Sequence, residues 1–594
     1  MFLIGLNYWS KKGGPLMWED FDPKIIEKEL QQMKLMKVDV IRAFAFWPDF
    51  ERTPGSVDPV MMDRAREFFD LAESQGVKVY MTFIVGHMSG ENWDPSWKRG
   101  DFFQLKDDVK FYISTLVKSF KDHPALGGWI LSNELVIYAN SREDVVSSWI
   151  KEMIALIKSI DNTHPVSTGD GYWGVLGQST FNPFDYGDSV DYHGPHSYTP
   201  DTDSYRQSVF PQIFIKLAKV NEKPVILEEF GASSVLASDE RIAGYYRVVL
   251  AGSLAAGASG AWGWCYSDFD LKDQRPYSHH PHEMGYGVTT ADWKIKPQGQ
   301  EIRRFADFLD EHGLREQKPL EDEIGLLVPS YVHESYPFTT AGESRSISSS
   351  LQASYYMLIQ NRVNPKVIFE KTLSKEINDP SLDEQEWPKI LFLPYALRYT
   401  AKTQDKVKDF VERGGSIVIS YAFNTWFDLK RLGIETDLYF NYPYALTDIE
   451  LELGDRKLEI KPNSLDYDAS IAPVKNGECL VCGHNGERAV VKFELGQGKI
   501  FFITFPFERW VSASPRPFEL YDPHLLYGKI LNENGVKDRH ETWSKWIQGT
   551  VIKGRELVIN HSWDGQPVDG FGELKGKDYA LLRSKRLKTN CLFL

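Results

Sequence analysis

With 594 residues, 42% of them apolar and 25% charged, the chain is globular and too long for one hydrophobic core. About 150 residues per domain is the usual scale, so two to four domains are expected. A net charge of −15 argues against nucleic acid as the main partner, because phosphate recognition needs clustered Lys and Arg. No apolar run reaches the ~18 residues needed to cross a bilayer, which speaks against a membrane partner. The start, Met1 to Trp9, has no basic region, apolar segment or cleavage signal and reads as a first strand, so a cytoplasmic location is expected. Four cysteines are too few for a disulfide framework and suit a reducing compartment. The 17 Trp and 28 Tyr offer flat faces on which sugar rings can stack, although core packing accounts for most of them.

Up to about residue 318, short apolar runs alternate with amphipathic stretches of helical length, the pattern of repeated βα units around a parallel sheet. Candidate strands are Phe2 to Tyr8, Val38 to Phe44, Val77 to Val85, Leu126 to Ser132, Pro165 to Thr168, Ser189 to His193, Pro224 to Glu228 and Ser259 to Trp264. Apolar spacings of three and four predict helices over Pro23 to Met36, Pro59 to Gln75, Phe102 to Lys121, Arg142 to Ile160, Ser204 to Val220, Asp239 to Ala256 and Pro297 to His312. Together these predict a (β/α)8 TIM barrel over 1–318.

A doubly wound α/β domain is expected over 319–536. Its buried strands are Glu323 to Pro329, Lys366 to Phe369, Lys389 to Leu393 and Ser416 to Tyr421, with a helix from Thr403 to Arg413 closed by Gly414-Gly415. A hairpin, Arg488 to Glu494 with Lys499 to Phe505, and a helix near Pro523 to Glu533 complete it. Short alternating strands over 537–594 predict a small β-sandwich.

In a barrel of this kind, functional side chains stand at the C-terminal ends of the strands. The fourth strand ends in Ser132-Asn133-Glu134 and the seventh in Glu228-Glu229-Phe230-Gly231, two acids facing each other across one mouth. Glycoside hydrolysis needs such a pair. One carboxylic acid protonates the leaving oxygen while the other carboxylate attacks the anomeric carbon at about 5 Å spacing, or activates water when the two are about 6.5–9.5 Å apart. An isolated strand-end Glu is more often a salt bridge or cap, so the weight lies on the pattern as a whole.

These segments resemble glycoside hydrolase clan A, and within it family 5. The resemblance implies that Glu134 is the acid/base and Glu229, ahead of Phe230-Gly231, the nucleophile in preference to Glu228. It assigns the sugar 2-hydroxyl contact to Asn133, Arg42 on strand two to holding the nucleophile ionised, and His196 and Tyr198 to the strand-six His-x-Tyr. Trp264 floors the sugar subsite, and His87 in Gly86-His87-Met88 matches the family's strand-three His. Glu134 should then stay protonated through burial and the Glu229 charge. Trp262, Trp173, Tyr172 and Trp47 read as packing or outer-subsite residues.

The run Lys389 to Leu397 resembles the middle domain of family 42 β-galactosidases, similar in fold to glutamine amidotransferases, which implies a non-catalytic domain serving homo-oligomer assembly. No Cys stands in a nucleophile elbow, so amidotransferase chemistry is not expected. Cys479 and Cys482, near His484, lack a second ligand pair and read as strand packing; the other cysteines are Cys265 and Cys591. His279 to His282 reads as a solvated loop.

The resemblance therefore implies a retaining β-glycoside hydrolase acting on β-1,4-linked mannosides or manno-oligosaccharides, with no cofactor and no metal. The Arg42 to Phe46 run and Glu228 to Gly231 look most like family 5 mannanases. Alternatives are a β-galactosidase or β-glucosidase with the same carboxylates, or a carbohydrate-binding protein without catalysis.

Overall fold

The computed structural model describes residues 1–583 except 140, 200, 337–340, 377–386, 423–428, 437–448, 454–455, 461–471 and 485. The chain divides into two compact units, one of Met1–Val175, Ser179–Thr199 and Leu217–Lys318, the other of Leu176–Gln178, Pro200–Lys216 and Pro319–Leu594.

The first unit is built on eight parallel strands, β1 (Leu3–Asn7), β2 (Val40–Phe44), β3 (Lys78–Ile84), β4 (Leu126–Ser132), β5 (Val166–Ser167), β6 (His196–Ser197), β7 (Ile226–Phe230) and β8 (Gly260–Gly263). β1 pairs with both β2 and β8. The ring closes between β5 and β6 through the parallel bridge Gly171–Pro195, where the His196 N–H donates to the Gly171 carbonyl at 3.1 Å. Most strand positions are buried, as expected of a sheet covered on one side by helices and filled on the other by side chains. Val40, Tyr80, Ile130, Tyr192, Ile226 and Trp262 form one cluster inside the sheet, so Trp262 is a core plug.

Helix ends follow local chemistry. Asp22 caps Pro23–Leu35 by accepting from the Lys24 and Ile25 amides, and Asp58 caps Pro59–Gln75, which ends on Gly76 at φ 71°. Helices Glu143–Ile160, Asp239–Ala256 and Pro297–His312 lie as the spacing predicts, while Phe102 to Lys121 divides into a short turn, Phe102–Gln104, and the helix Lys106–Phe120.

Strand six differs from expectation. Val190 and Tyr192 are buried on either side of a half-buried Asp191 but follow a turn, Gly187–Ser189; the Asp191 N–H bonds the Val166 carbonyl at 2.9 Å, and the first bridge to β7's side is His193 to Val225. Those buried residues lead the chain into the barrel, and the pairing that forms β6 falls on His196–Ser197.

The second unit holds a seven-stranded sheet in the order Lys366–Phe369, Ile324–Val328, Ile390–Leu393, Ser416–Ser420, Gly498–Ile503, Arg488–Leu495, Glu478–Cys482. Neighbours pair in parallel over the first five strands, and the last two are added antiparallel. Thr400 caps the helix Ala401–Glu412, whose Val407 and Val411 enter the core on this sheet. Nearer the C-terminus, a three-stranded sheet and a two-stranded hairpin enclose Trp543, Ile547, Val558, Val568 and Leu574. Cys479 and Cys482 share a strand as expected, but their sulfurs are bonded as a disulfide, which their spacing did not announce. Cys265 is buried and free, and Cys591 lies outside the described residues. Among the described residues no helix is long and apolar enough to cross a membrane.

One glycine sets the position of Glu134. Gly169, at φ 68°, accepts the Glu134 N–H at 2.8 Å, and a Cβ on it would collide with the Ser132 carbonyl. Gly76 has a similar φ but open space around its Cβ direction. Gly169→Ala is therefore expected to cost about 3 kcal/mol or more of unfolding free energy, against about 1–2 kcal/mol for Gly76→Ala, both read by urea denaturation.

Candidate active site

At the C-terminal end of the barrel lies a cavity of about 220 Å³ lined by His87, Asn133, Glu134, Tyr198, Glu229 and Trp264, with Trp173, Glu283 and Tyr286 among its other walls. Arg42 and His196 are fully buried beneath it. All eight residues singled out in the sequence thus surround one space. Glu134 follows β4 at φ 50°, a left-handed conformation that costs a non-glycine residue about 1–3 kcal/mol. Such strain persists only where the surroundings hold it.

Arg42 organises the floor. Its guanidinium donates to Glu229 Oε1 at 2.5 Å and to Asn133 Oδ1 at 2.7 Å, and is itself oriented by Thr82 Oγ1 at 3.1 Å and Asn7 Oδ1 at 3.3 Å. Tyr198 donates its hydroxyl to the other Glu229 oxygen at 2.8 Å. Asn133 gives one amide proton to the His87 carbonyl at 2.5 Å, while the His87 ring bonds Asn92 at 2.7 Å. His87 therefore positions Asn133 through its backbone as well as lining the wall. His196 Nδ1 stands 2.8 Å from Glu134 and 3.4 Å from Glu229. An oxygen of Glu134, an oxygen of Glu229 and a His196 nitrogen all lie within 4.8 Å of one another.

Three carboxylates and two cations share this interior. Burial alone lowers the His196 pKa, but Glu229, Glu134 and Glu228 around it outweigh burial and lift it to about 9. Burial pushes the Glu229 carboxyl above its ordinary value and Glu134 adds to the push, while His196, Arg42 and Tyr198 pull it back. The contacts expected to hold Glu229 ionised are in place, yet desolvation wins the sign. Glu228 behaves oppositely: burial would raise it, but His196 and Arg42 prevail and hold it below the usual carboxylate range. Its 3.6 Å contact with His196 Nε2 is an ion pair beyond hydrogen-bond length.

The Glu134, His196 and Glu229 atoms are close enough to hold a metal ion, but an imidazole that keeps its proton to about pH 9 opposes a cation there. A second group, Asp70, Glu73 and His123, lies toward the surface, where His123 pairs with Asp70 at 3.0 Å.

Sequence reasoning missed Asn7 and Thr82, whose only signal is an inward polar side chain on a barrel strand, and Glu283 and Tyr286, which carry no motif in the loop after β8. It treated Glu228 only as the rejected alternative to Glu229.

Residues 8–270 match Cellulase (glycosyl hydrolase family 5). The barrel is a family 5 glycoside hydrolase domain. Mannan endo-1,4-β-mannosidase 4 of Solanum lycopersicum is 25% identical over 285 residues, 39% of this chain and 69% of that protein. Mannan endo-1,4-β-mannosidase 7 of Arabidopsis thaliana is 27% identical over 283 residues, with 39% of this chain matching 64% of that one. In fold, the exo-β-1,4-mannosidase of Opitutaceae bacterium strain TAV5 superposes with a TM-score of 0.73 at 20% identity, covering 86% of this chain and 93% of that one. The β-galactosidase of Marinomonas ef1 gives 0.70 at 12% identity, covering 98% and 100%.

Because the folded pKa of His196 lies above the unfolded value, its stabilisation is complete below about pH 6.5 and is lost as pH rises through about 9. Thermal unfolding from about pH 6 to about pH 10 is expected to show Tm falling through that window, and His196→Asn is expected to remove the step.

Proposed function

We propose that the protein is a retaining β-glycoside hydrolase acting on β-1,4-linked mannosides or manno-oligosaccharides. The observation that carries the mechanism is the spacing of the two carboxylates, with oxygens of Glu134 and Glu229 within 4.8 Å. So close an approach supports the short carboxyl separation of double displacement, about 5–5.5 Å, over the roughly 6.5–9.5 Å of an inverting pair. Glu229 accepts from Arg42 on one oxygen and Tyr198 on the other, contacts that orient it and oppose the effect of burial, so it is the member that attacks the anomeric carbon. Glu134, bonded to His196 and without the Arg42 and Tyr198 contacts that Glu229 receives, is the member that gives its carboxyl proton to the leaving oxygen. It then takes a proton from water as the glycosyl-enzyme is hydrolysed.

Asn133 keeps an amide proton for a sugar hydroxyl, in a bond that strengthens as charge develops. Trp264 offers its face to the ring. Mannoside specificity is supported by the names of the mannan-cleaving relatives and by the sequence around Arg42 and Glu229.

The test is hydrolysis of aryl β-mannosides, β-glucosides and β-galactosides. The mannoside is expected to be cleaved fastest, with the β-anomer of mannose appearing first in the proton NMR spectrum. Glu134→Ala is expected to lose about 10²–10⁴-fold in rate on substrates with poor leaving groups, and Glu229→Ala to fall to background on all. Preference for a galactoside would overturn the substrate; the α-anomer first would overturn the mechanism.

A further inference from the structure

A third carboxylate faces the cavity. Glu283, in the turn Pro281–Gly285 after β8, has a side chain only 14% exposed yet lines the same space as Glu134 and Trp264. The mechanism above gives it no role.

Resting on the β-glycosidase reading, we propose that Glu283 is a substrate-binding residue. Locked to Ser89, it closes the glycone end of the cavity and holds the terminal sugar, so that sugars are removed singly from the non-reducing end.

The closure is built from several contacts between the hairpin after β3 and the loop after β8, among them His279 Nε2 at 3.4 Å from Glu91. Ser89 Oγ donates to Glu283 Oε2 at 2.9 Å. Arg275 grips Glu91 with Nη2 at 2.7 Å and Nε at 3.0 Å. Between them, Gly90 at φ 78° brings the backbone so close to the His280 ring that a Cβ would collide with it.

Each side is anchored in the barrel. The His87 N–H bonds the Asn133 carbonyl at 3.0 Å, and Ser233 and Ser234 hold the carbonyls of His282 and Gly285 at 2.5 and 3.0 Å. The strap thus rests on fixed supports.

Its position decides which end is shut. The strands run β3-β2-β1-β8 around the ring, so a link from the β3 hairpin to the β8 loop spans the ends of β1 and β2. Glu134, which serves the leaving group, stands on β4, where Ile137 on the cavity wall is 44% exposed. The leaving-group side is therefore open and the opposite side is strapped.

A carboxylate suits that closed end. It has about four lone-pair sites, of which Ser89 takes one on Oε2 while His282 Nε2 stands 3.4 Å from Oε1, and sugar hydroxyls donate to carboxylates in charge-assisted bonds at those that remain. A polymer passing through would have to break the Ser89–Glu283 bond, whereas a terminal sugar only adds donors to it.

The experiment uses the full chain with an aryl β-mannoside and with mannohexaose labelled at its reducing end. The first product from the labelled chain is expected to be free mannose, with the label on a chain one sugar shorter. Glu283→Gln is expected to lower kcat/KM on both substrates about tenfold or more, mainly through KM, with Tm unchanged. Early release of labelled di- or trisaccharides would overturn the proposal, as would unaltered kinetics in Glu283→Gln. If no aryl glycoside is hydrolysed, the β-glycosidase reading fails and the proposal with it. Aryl mannoside turnover with internal cuts overturns the proposal alone.

Discussion

A guanidinium with no access to water holds the centre of this barrel. Arg42 reaches Glu229, Asn133, Thr82 and Asn7 at once, and so fixes side chains from four strands or strand ends in one plane of contact. Removing either partner of such a buried pair costs about 3–5 kcal/mol, because the charge left behind has no water to turn to. The interior is thus committed to both charges, and the site cannot be loosened at Arg42 or Glu229 without loosening the barrel mouth.

The surrounding charges are arranged against that commitment. Glu134, Glu228 and Glu229 press on His196 from both ring nitrogens, and the imidazole keeps its proton to about pH 9. A carboxylate pair that would repel itself shares a cation, which lets oxygens of the two acids stand within 4.8 Å of each other. The backbone contributes as well, through a left-handed Glu134 held by the Gly169 carbonyl.

Much of this was legible in the sequence, for a physical reason. Barrel strands are buried on both faces, so a strand that ends abruptly in Asn-Glu or Glu-Glu advertises where the apolar interior meets the mouth. Arg42 inside Val40 to Phe44 is legible for the same reason. Distances were not legible, and neither was the sign of the Glu229 shift, which depends on how completely burial wins over three opposing contacts. Strand six was misplaced because apolar residues marked entry to the barrel and not the pairing itself. Glu283 was invisible because it lies in a loop without periodicity and acquires its setting only when the hairpin tip at Ser89 meets it. The bonded Cys479 and Cys482 escaped because the strand pattern alone is satisfied by two packed thiols.

The central claim is that Glu229 becomes covalently bonded to the sugar. Incubation with 2-deoxy-2-fluoro-β-mannosyl fluoride, followed by intact mass measurement and peptide mapping, tests it directly, because fluorine slows hydrolysis of a glycosyl-enzyme more than its formation. The account predicts one added fluoromannosyl group on the peptide containing Glu228-Glu229, with its fragmentation site at Glu229 and no adduct in Glu229→Ala. An adduct on Glu228 or Glu134, or turnover of mannosides with no adduct and inverted product, would contradict it.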